Sequence, residues 1–275
     1  MRFPRIIVQI LAALASNCAF LLGQPLPGAI YQGALKRGCL PGLNCYACPY
    51  AIGACPLGSL QYFLAWGRYH FSVYLAGFFL LLGGLLGRFI CGWLCPFGLI
   101  QDILHRIPSP KFNLPRKVGL LRWAWLLGLV VLVPLILKKP GFCAWVCPAG
   151  TLEGGIPLPT FDPGLRQLIG GIFFLKLGIL AVFLLGSICV YRPFCQAACP
   201  LGLIYGFFNR ISVLTISLDR KDCRSCGLCR QACPVNLDPQ AGEFERGECL
   251  RCLRCVRACP TSCLRFGARA RPPGD

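Results

Sequence analysis

Apolar residues dominate 5–23, 69–90, 119–137 and 168–190, and each run approaches the roughly 20 residues an α-helix needs to cross a bilayer. The pattern predicts four transmembrane helices joined by polar, glycine- and proline-rich connectors. Arg2 and Arg5 precede the first run, and its Ala13-Leu14-Ala15 also resembles a signal-peptide cleavage site. Cys18 follows Asn17, a poor lipoprotein site, so the run is read as an uncleaved first helix. Pro134 sits inside the third run, where membrane helices accept proline if neighbours re-satisfy the backbone. Lys176 in the fourth must face other helices or water, either with a functional role or paired within the bundle. Beyond residue 210 the period changes. Leu214, Ile216 and Leu218 alternate as in a strand, and Leu264 and Phe266 supply its return partner. The organisation expected is a four-helix membrane domain over 1–210, an α+β module over 211–267, and a disordered tail over 268–275.

Composition supports the membrane reading: 56% of residues are hydrophobic and 14% charged. The charge is lopsided, with 28 basic against 10 acidic residues and a net +18. The basic residues flank apolar runs and cysteine motifs, which argues for the cytoplasmic side of membrane helices and against a nucleic-acid partner. Arg106, Lys111, Arg116, Lys117 and Arg122 make the densest basic connector and mark it as cytoplasmic. The N-terminus and the C-terminal module then lie in the cytoplasm of a prokaryote, with 24–68 and 138–167 outside.

The chemistry lies in 21 cysteines. Cys223, Cys226, Cys229 and Cys233-Pro234, then Cys249, Cys252, Cys255 and Cys259-Pro260, each form the C-x2-C-x2-C-x3-C-P run of a two-cluster bacterial ferredoxin. The fourth cysteine of each run ligates the other cluster, so the predicted [4Fe-4S] sites are Cys223, Cys226, Cys229, Cys259 and Cys249, Cys252, Cys255, Cys233. A zinc ribbon uses four ligands in C-x2-C pairs and would not need eight cysteines in two matching runs.

A second motif, Cys-x3-Cys-Pro-x-Gly, starts at Cys91, Cys143 and Cys195, 52 residues apart each time. Cys55-Pro56-Leu57-Gly58 is a degenerate fourth copy. Fixed-period self-similarity reads as architecture. With one crossing per repeat, consecutive copies face opposite sides of the membrane. Cys91, Cys95, Cys195 and Cys199 then meet on the inner face and suffice for a third cluster. On the outer face Cys143 and Cys147 join two of Cys45, Cys48 and Cys55. Cys48 and Cys55 are taken here, and a disulfide remains the alternative to a fourth cluster. Cys18, Cys189 and Cys263 read as packing residues. His70 and His105 are the only histidines, and without Cys-x2-Cys-His covalent haem is not expected.

Cys91-Gly-Trp-Leu-Cys-Pro and Cys195-Gln-Ala-Ala-Cys-Pro-Leu-Gly around apolar helices, followed by the double ferredoxin run, resemble NapH-type membrane polyferredoxins and the membrane part of NosR-type regulators. The resemblance spans about residues 70–266. It implies four helices, cytoplasmic clusters, and electron transfer between the quinone pool or a soluble donor and a periplasmic partner. The chain departs from that pattern in Cys45, Cys48, Cys55, Cys143 and Cys147, which point to a relative that carries electrons to or from the outer face itself. The expected function is a membrane iron–sulfur electron carrier, an oxidoreductase subunit such as a quinol dehydrogenase component and not a stand-alone enzyme. A transmembrane thiol–disulfide relay and a redox-sensing anchor are the alternatives. An electron carrier faces one difficulty, because the hydrocarbon core is about 30 Å thick. Clusters at its two surfaces would need to sit deep, or to use a bound quinone.

Overall fold

The computed structural model describes residues 5–22, 30–67 and 72–269. Among these, three helices are long and apolar enough to cross a membrane: Arg5–Leu22, Arg116–Leu137 and Gly171–Cys189. The second predicted run is instead the shorter Val73–Leu86, 14 residues and about 21 Å at 1.5 Å per residue. Ser72 caps its start by accepting from the Leu75 N–H. Its end is set by Gly87, whose φ of +54° is left-handed, and where a Cβ would come 2.7 Å from Asn209 Oδ1. The apolar residues after it, Phe89–Trp93, form a separate short helix. His70 and the start of this run lie outside the described residues. In the third span the backbone loosens to i→i+5 bonding over Trp125–Leu132, just before Pro134, which has no N–H to offer. Side chains such as Leu127, Ile136, Leu175, Val182 and Leu185 point outward, the apolar exterior a bilayer requires.

The cysteine repeat is also a structural repeat. Pro56–Trp66, Pro96–Leu104, Pro148–Gly150 and Pro200–Phe207 each start at the proline of a Cys-Pro pair. At the first helical position the missing N–H costs nothing and the fixed φ suits the helix, so the preceding cysteine becomes the cap. Three copies are preceded by a short helix carrying the first cysteine, at Phe89–Trp93, Gly141–Trp145 and Pro193–Ala197. One buried core joins all copies, from Leu43 and Cys55 through Phe97, Phe142, Phe194 and Tyr205 to Leu250.

In the C-terminal module Leu214–Leu218 pairs antiparallel with Leu264–Ala268, Ile216 opposite Phe266. The ordered strand thus runs to Ala268, slightly into the expected tail, and 270–275 lie outside the described residues. The module docks on the membrane domain through 246–251. Arg88 donates to the Gly247 carbonyl, Trp93 Nε1 to that of Arg251 at 3.0 Å, and Asn209 Nδ2 to those of Arg246 and Cys249, both at 2.9 Å. Two glycines permit this approach. A Cβ on Gly92 would meet the Leu250 carbonyl oxygen at 2.4 Å, and one on Gly206 would meet that of Gly247 at 2.9 Å.

Candidate metal centres

Cys91, Cys95, Cys195 and Cys199 are all buried in one core and act electrostatically on one another. The two contributing repeats hold each other reciprocally. Arg88 Nη2 donates to the Cys195 carbonyl at 2.9 Å, and Arg192 Nη1 donates to the Cys91 carbonyl at 2.5 Å. Gln101 Nε2 reaches Cys195 Sγ at 3.4 Å, while the Gly202 N–H reaches Cys199 Sγ at 3.3 Å. Both guanidiniums are inaccessible to solvent. Arg192 is anchored by Asp102, which also takes Arg5 and, at 2.9 Å, Gln9 Nε2 from the first helix. Burial alone would raise the Asp102 carboxyl, but Arg192 and then Arg5 hold it well below the usual carboxylate range.

The second foursome differs from the expected one by a residue. Cys45, and not Cys48, joins Cys55, Cys143 and Cys147. Cys48 Sγ turns toward Asn17 Oδ1 at 3.6 Å and lies beside Lys36. The reason is a single bond: Glu153 Oε2 accepts the Cys45 N–H at 2.6 Å and fixes the loop. The glycines of the motif lie directly against the sulfurs. A Cβ on Gly150 would lie 3.6 Å from Cys45 Sγ and 3.7 Å from Cys147 Sγ, and one on Gly58 would lie 3.8 Å from Cys143 Sγ. Gln61 Nε2 donates to Cys143 Sγ at 3.0 Å, and Lys176 Nζ to the Cys143 carbonyl at 3.2 Å. Lys176 is thus half-buried and paired with the site's own backbone. Burial pushes the Cys143 and Cys45 thiols up to about 12 and the Glu153 carboxyl up to about 8. Over this foursome opens a largely apolar cavity of about 920 Å³, with Tyr62, Phe63, Leu158, Ile169 and Phe173 in its walls and Lys36 and Lys176 at its polar points.

The two foursomes are neighbours. Part of 38–54 leaves the surface, although Tyr46 and Tyr50 stay exposed: Leu40 N bonds Ala54 O and Ala54 N bonds Gly38 O, and the loop they close carries Leu43 and Asn44 into the core. The Leu43 backbone acts on the Cys95 thiol and the Asn44 backbone on the Cys55 thiol, so adjacent residues touch one site each. A Cβ on Gly42 would lie 3.0 Å from Cys95 Cα. Buried Tyr205 donates to the Pro41 carbonyl at 3.0 Å and holds the loop from the other side. Helix Gly171–Cys189 gives the scale. Lys176 meets the Cys143 site, and Phe183 packs edge-on against Phe194, next to Cys195, at 5.1 Å. Seven residues separate these levels, about 10 Å along the helix.

In the C-terminal module Cys233, Cys249, Cys252 and Cys255 converge, as the crossed pairing requires. Cys223 and Cys229 share the other end with Cys259, and Cys226 lies exposed on the same loop. Cys263, read as a packing residue, is buried with its Sγ 3.2 Å from that of Cys259, a fifth thiol at this end. Among the described residues no group of three or more His, Cys, Asp or Glu is drawn in tightly enough for a single metal ion.

The sequence alone assigns no part in the sites to Gln61, Gln101, Arg88, Arg192 or the 41–44 loop. Aligning the repeats beyond their cysteines finds the first four: a glutamine follows Cys55 and Cys95 by six positions, and an arginine precedes Cys91 and Cys195 by three. The loop has no repeat to betray it.

The 4Fe-4S binding domain matches residues 69–115, 120–156 and 171–218, each segment carrying one full copy of the motif, and the 4Fe-4S dicluster domain matches 215–260. Methylamine utilization ferredoxin-type protein MauN of Methylobacillus flagellatus is 28% identical over 235 residues, 84% of this chain and 74% of its own length. Ferredoxin-type protein NapH of Escherichia coli is 30% identical over 184 residues, 65% of this chain and 59% of its own length. Regulatory protein NosR of Stutzerimonas stutzeri is 27% identical over 172 residues, 60% of this chain but 22% of its own length. No solved structure matches the chain.

Proposed function

The chain belongs to the ferredoxin-type 4Fe-4S proteins, and on that premise we propose that it is a membrane electron conduit built from four cysteine sites in one line. The order is Cys223/Cys226/Cys229/Cys259, then Cys249/Cys252/Cys255/Cys233, then Cys91/Cys95/Cys195/Cys199, then Cys45/Cys55/Cys143/Cys147. The observation that carries this reading is the insertion of Leu43 and Asn44 between the last two sites, whose levels on helix Gly171–Cys189 differ by about 10 Å along its axis, far less than the thickness of a membrane. The contacts of 246–251 with Arg88 and Trp93 bring the second site to the third in the same way.

The donor sets suit [4Fe-4S] clusters. A single zinc at about 2.3 Å from each sulfur needs its thiolates close together, whereas a cubane holds each on a separate iron. When bound, the clusters supply one-electron chemistry. The chain's own residues supply the rest: amide N–H groups and helix starts aimed at sulfur, buried guanidiniums against anionic sites, and a core that excludes water. The basic connector around Arg116 supports a cytoplasmic position for the dicluster module. At the far end, the apolar cavity beside Cys143 has the volume and the few polar groups of a small-molecule site, and we assign it to a quinone as exchange partner.

Iron and acid-labile sulfide of the anaerobically purified full chain test the reading. Sixteen irons per chain, four for each site, are expected. Twelve would remove the cavity-side cluster, and eight would leave a thiol–disulfide relay with a ferredoxin attached.

A further inference from the structure

Position six after the second cysteine of each motif has one task in all four copies, which is to bond across to another element. Glu153 and Tyr205 bond to the 41–45 loop. Gln61 and Gln101, both wholly inaccessible to solvent, go instead to sulfur. Gln61 Oε1 accepts the N–H of Phe142 at 3.0 Å and that of Cys143 at 3.4 Å, and its Nε2 donates to Cys143 Sγ at 3.0 Å. Gln101 repeats the arrangement: its Oε1 accepts the Phe194 N–H at 3.3 Å and its Nε2 donates to Cys195 Sγ at 3.4 Å. The backbone bond fixes which end of each amide is oxygen, so the donor end must face sulfur.

We infer that Gln61 and Gln101 are positioning residues that raise the reduction potential of the two membrane-domain sites, each through the first cysteine of the partner repeat. The inference rests on the reading that these thiols hold clusters. A donor fixed on a ligand sulfur stabilises the form with more negative charge, which is the reduced one. Both amides are themselves out of solvent, so no water stands ready to replace the donor when it is removed. Each glutamine belongs to the repeat that supplies the other half of its site, so it also ties the two halves together.

The test is an EPR-monitored redox titration of full-length Gln61→Leu, Gln101→Leu and the double variant, with iron determined on the same samples. Unchanged iron is expected, with the midpoint of one site lowered in each single variant and of both in the double. The expected change is about tenfold in the reduced-to-oxidised ratio, about 59 mV for a one-electron couple. Unchanged iron with unchanged midpoints overturns the inference. If a leucine variant loses iron, Gln→Met, close in volume, uncharged and without an N–H to donate, must lower the same midpoint. Loss of iron from both variants, or no change in that midpoint, overturns it in favour of a purely structural role. Eight irons in the unmodified protein would instead defeat the cluster reading itself.

Discussion

Gly92 is where the dicluster module meets the membrane domain most closely, and Gly92→Ala perturbs that contact alone. The added Cβ would stand 2.4 Å from the Leu250 carbonyl oxygen, where ordinary contact begins at 3.4 Å, so the carbonyl must retreat by about 1 Å. A retreat of that size carries the neighbouring Trp93–Arg251 bond from 3.0 Å beyond hydrogen-bonding range. Overpacking costs about 1–3 kcal/mol and the lost bond about 1 kcal/mol more. The closed docking is therefore disfavoured by roughly 2–4 kcal/mol. None of the proposed ligands is touched, so iron content stays the same. The assay is freeze-quench EPR after mixing with a soluble reductant that enters at the dicluster module. In the unmodified protein the module and membrane-domain signals rise together. In Gly92→Ala the membrane-domain signals lag. Simultaneous reduction with full iron content would refute the docking contact as the electron route.

Cys45→Ser lowers iron by about four per chain while Cys48→Ser leaves it unchanged; the reverse result would restore the set expected from sequence. Asp102→Asn leaves Arg192 and Arg5 without their anion and costs about 3–5 kcal/mol in thermal unfolding of the detergent-solubilised protein. A loss below about 1 kcal/mol would contradict that role. The Asp102 carboxyl is held below its unfolded value near 3.9, so its contribution is complete above that pH and is lost as pH falls toward the folded value. Between about pH 5 and 8 the unmodified protein gains no pH dependence from it, and a stability step in that range abolished by Asp102→Asn would contradict this.

Much of the site was legible because its chemistry repeats. Cysteine spacing grouped Cys91 and Cys95 with Cys195 and Cys199, and Cys143 and Cys147 with Cys55, since one fold unit recurs and its copies meet in pairs. The strand pair was equally plain from the alternation of Leu214, Ile216 and Leu218. Hydropathy misread 69–90 because it averages over Gly87, whose left-handed backbone ends Val73–Leu86 without lowering the apolar score. It also gave no sign of the 41–44 insertion. A loop rich in glycine and proline usually lies at a surface, and this one is held inside by particular bonds, from Tyr205 to Pro41 and from Glu153 to Cys45. The choice between Cys45 and Cys48 hung on that second bond, which joins residues far apart in sequence.

Placement of the last two sites on either side of Leu43 and Asn44 is the centre of the account, and magnetic coupling between them tests it most directly. EPR of the fully reduced full-length protein, with the cluster of the Cys45 site removed in a Cys45→Ser control, reports that coupling. With the two sites only about 10 Å apart in level along helix Gly171–Cys189, the membrane-domain signals should be broadened and split by each other, and the splitting should vanish in the control. Sharp, independent signals from two membrane-domain clusters, identical in shape before and after removal of one, would contradict the arrangement.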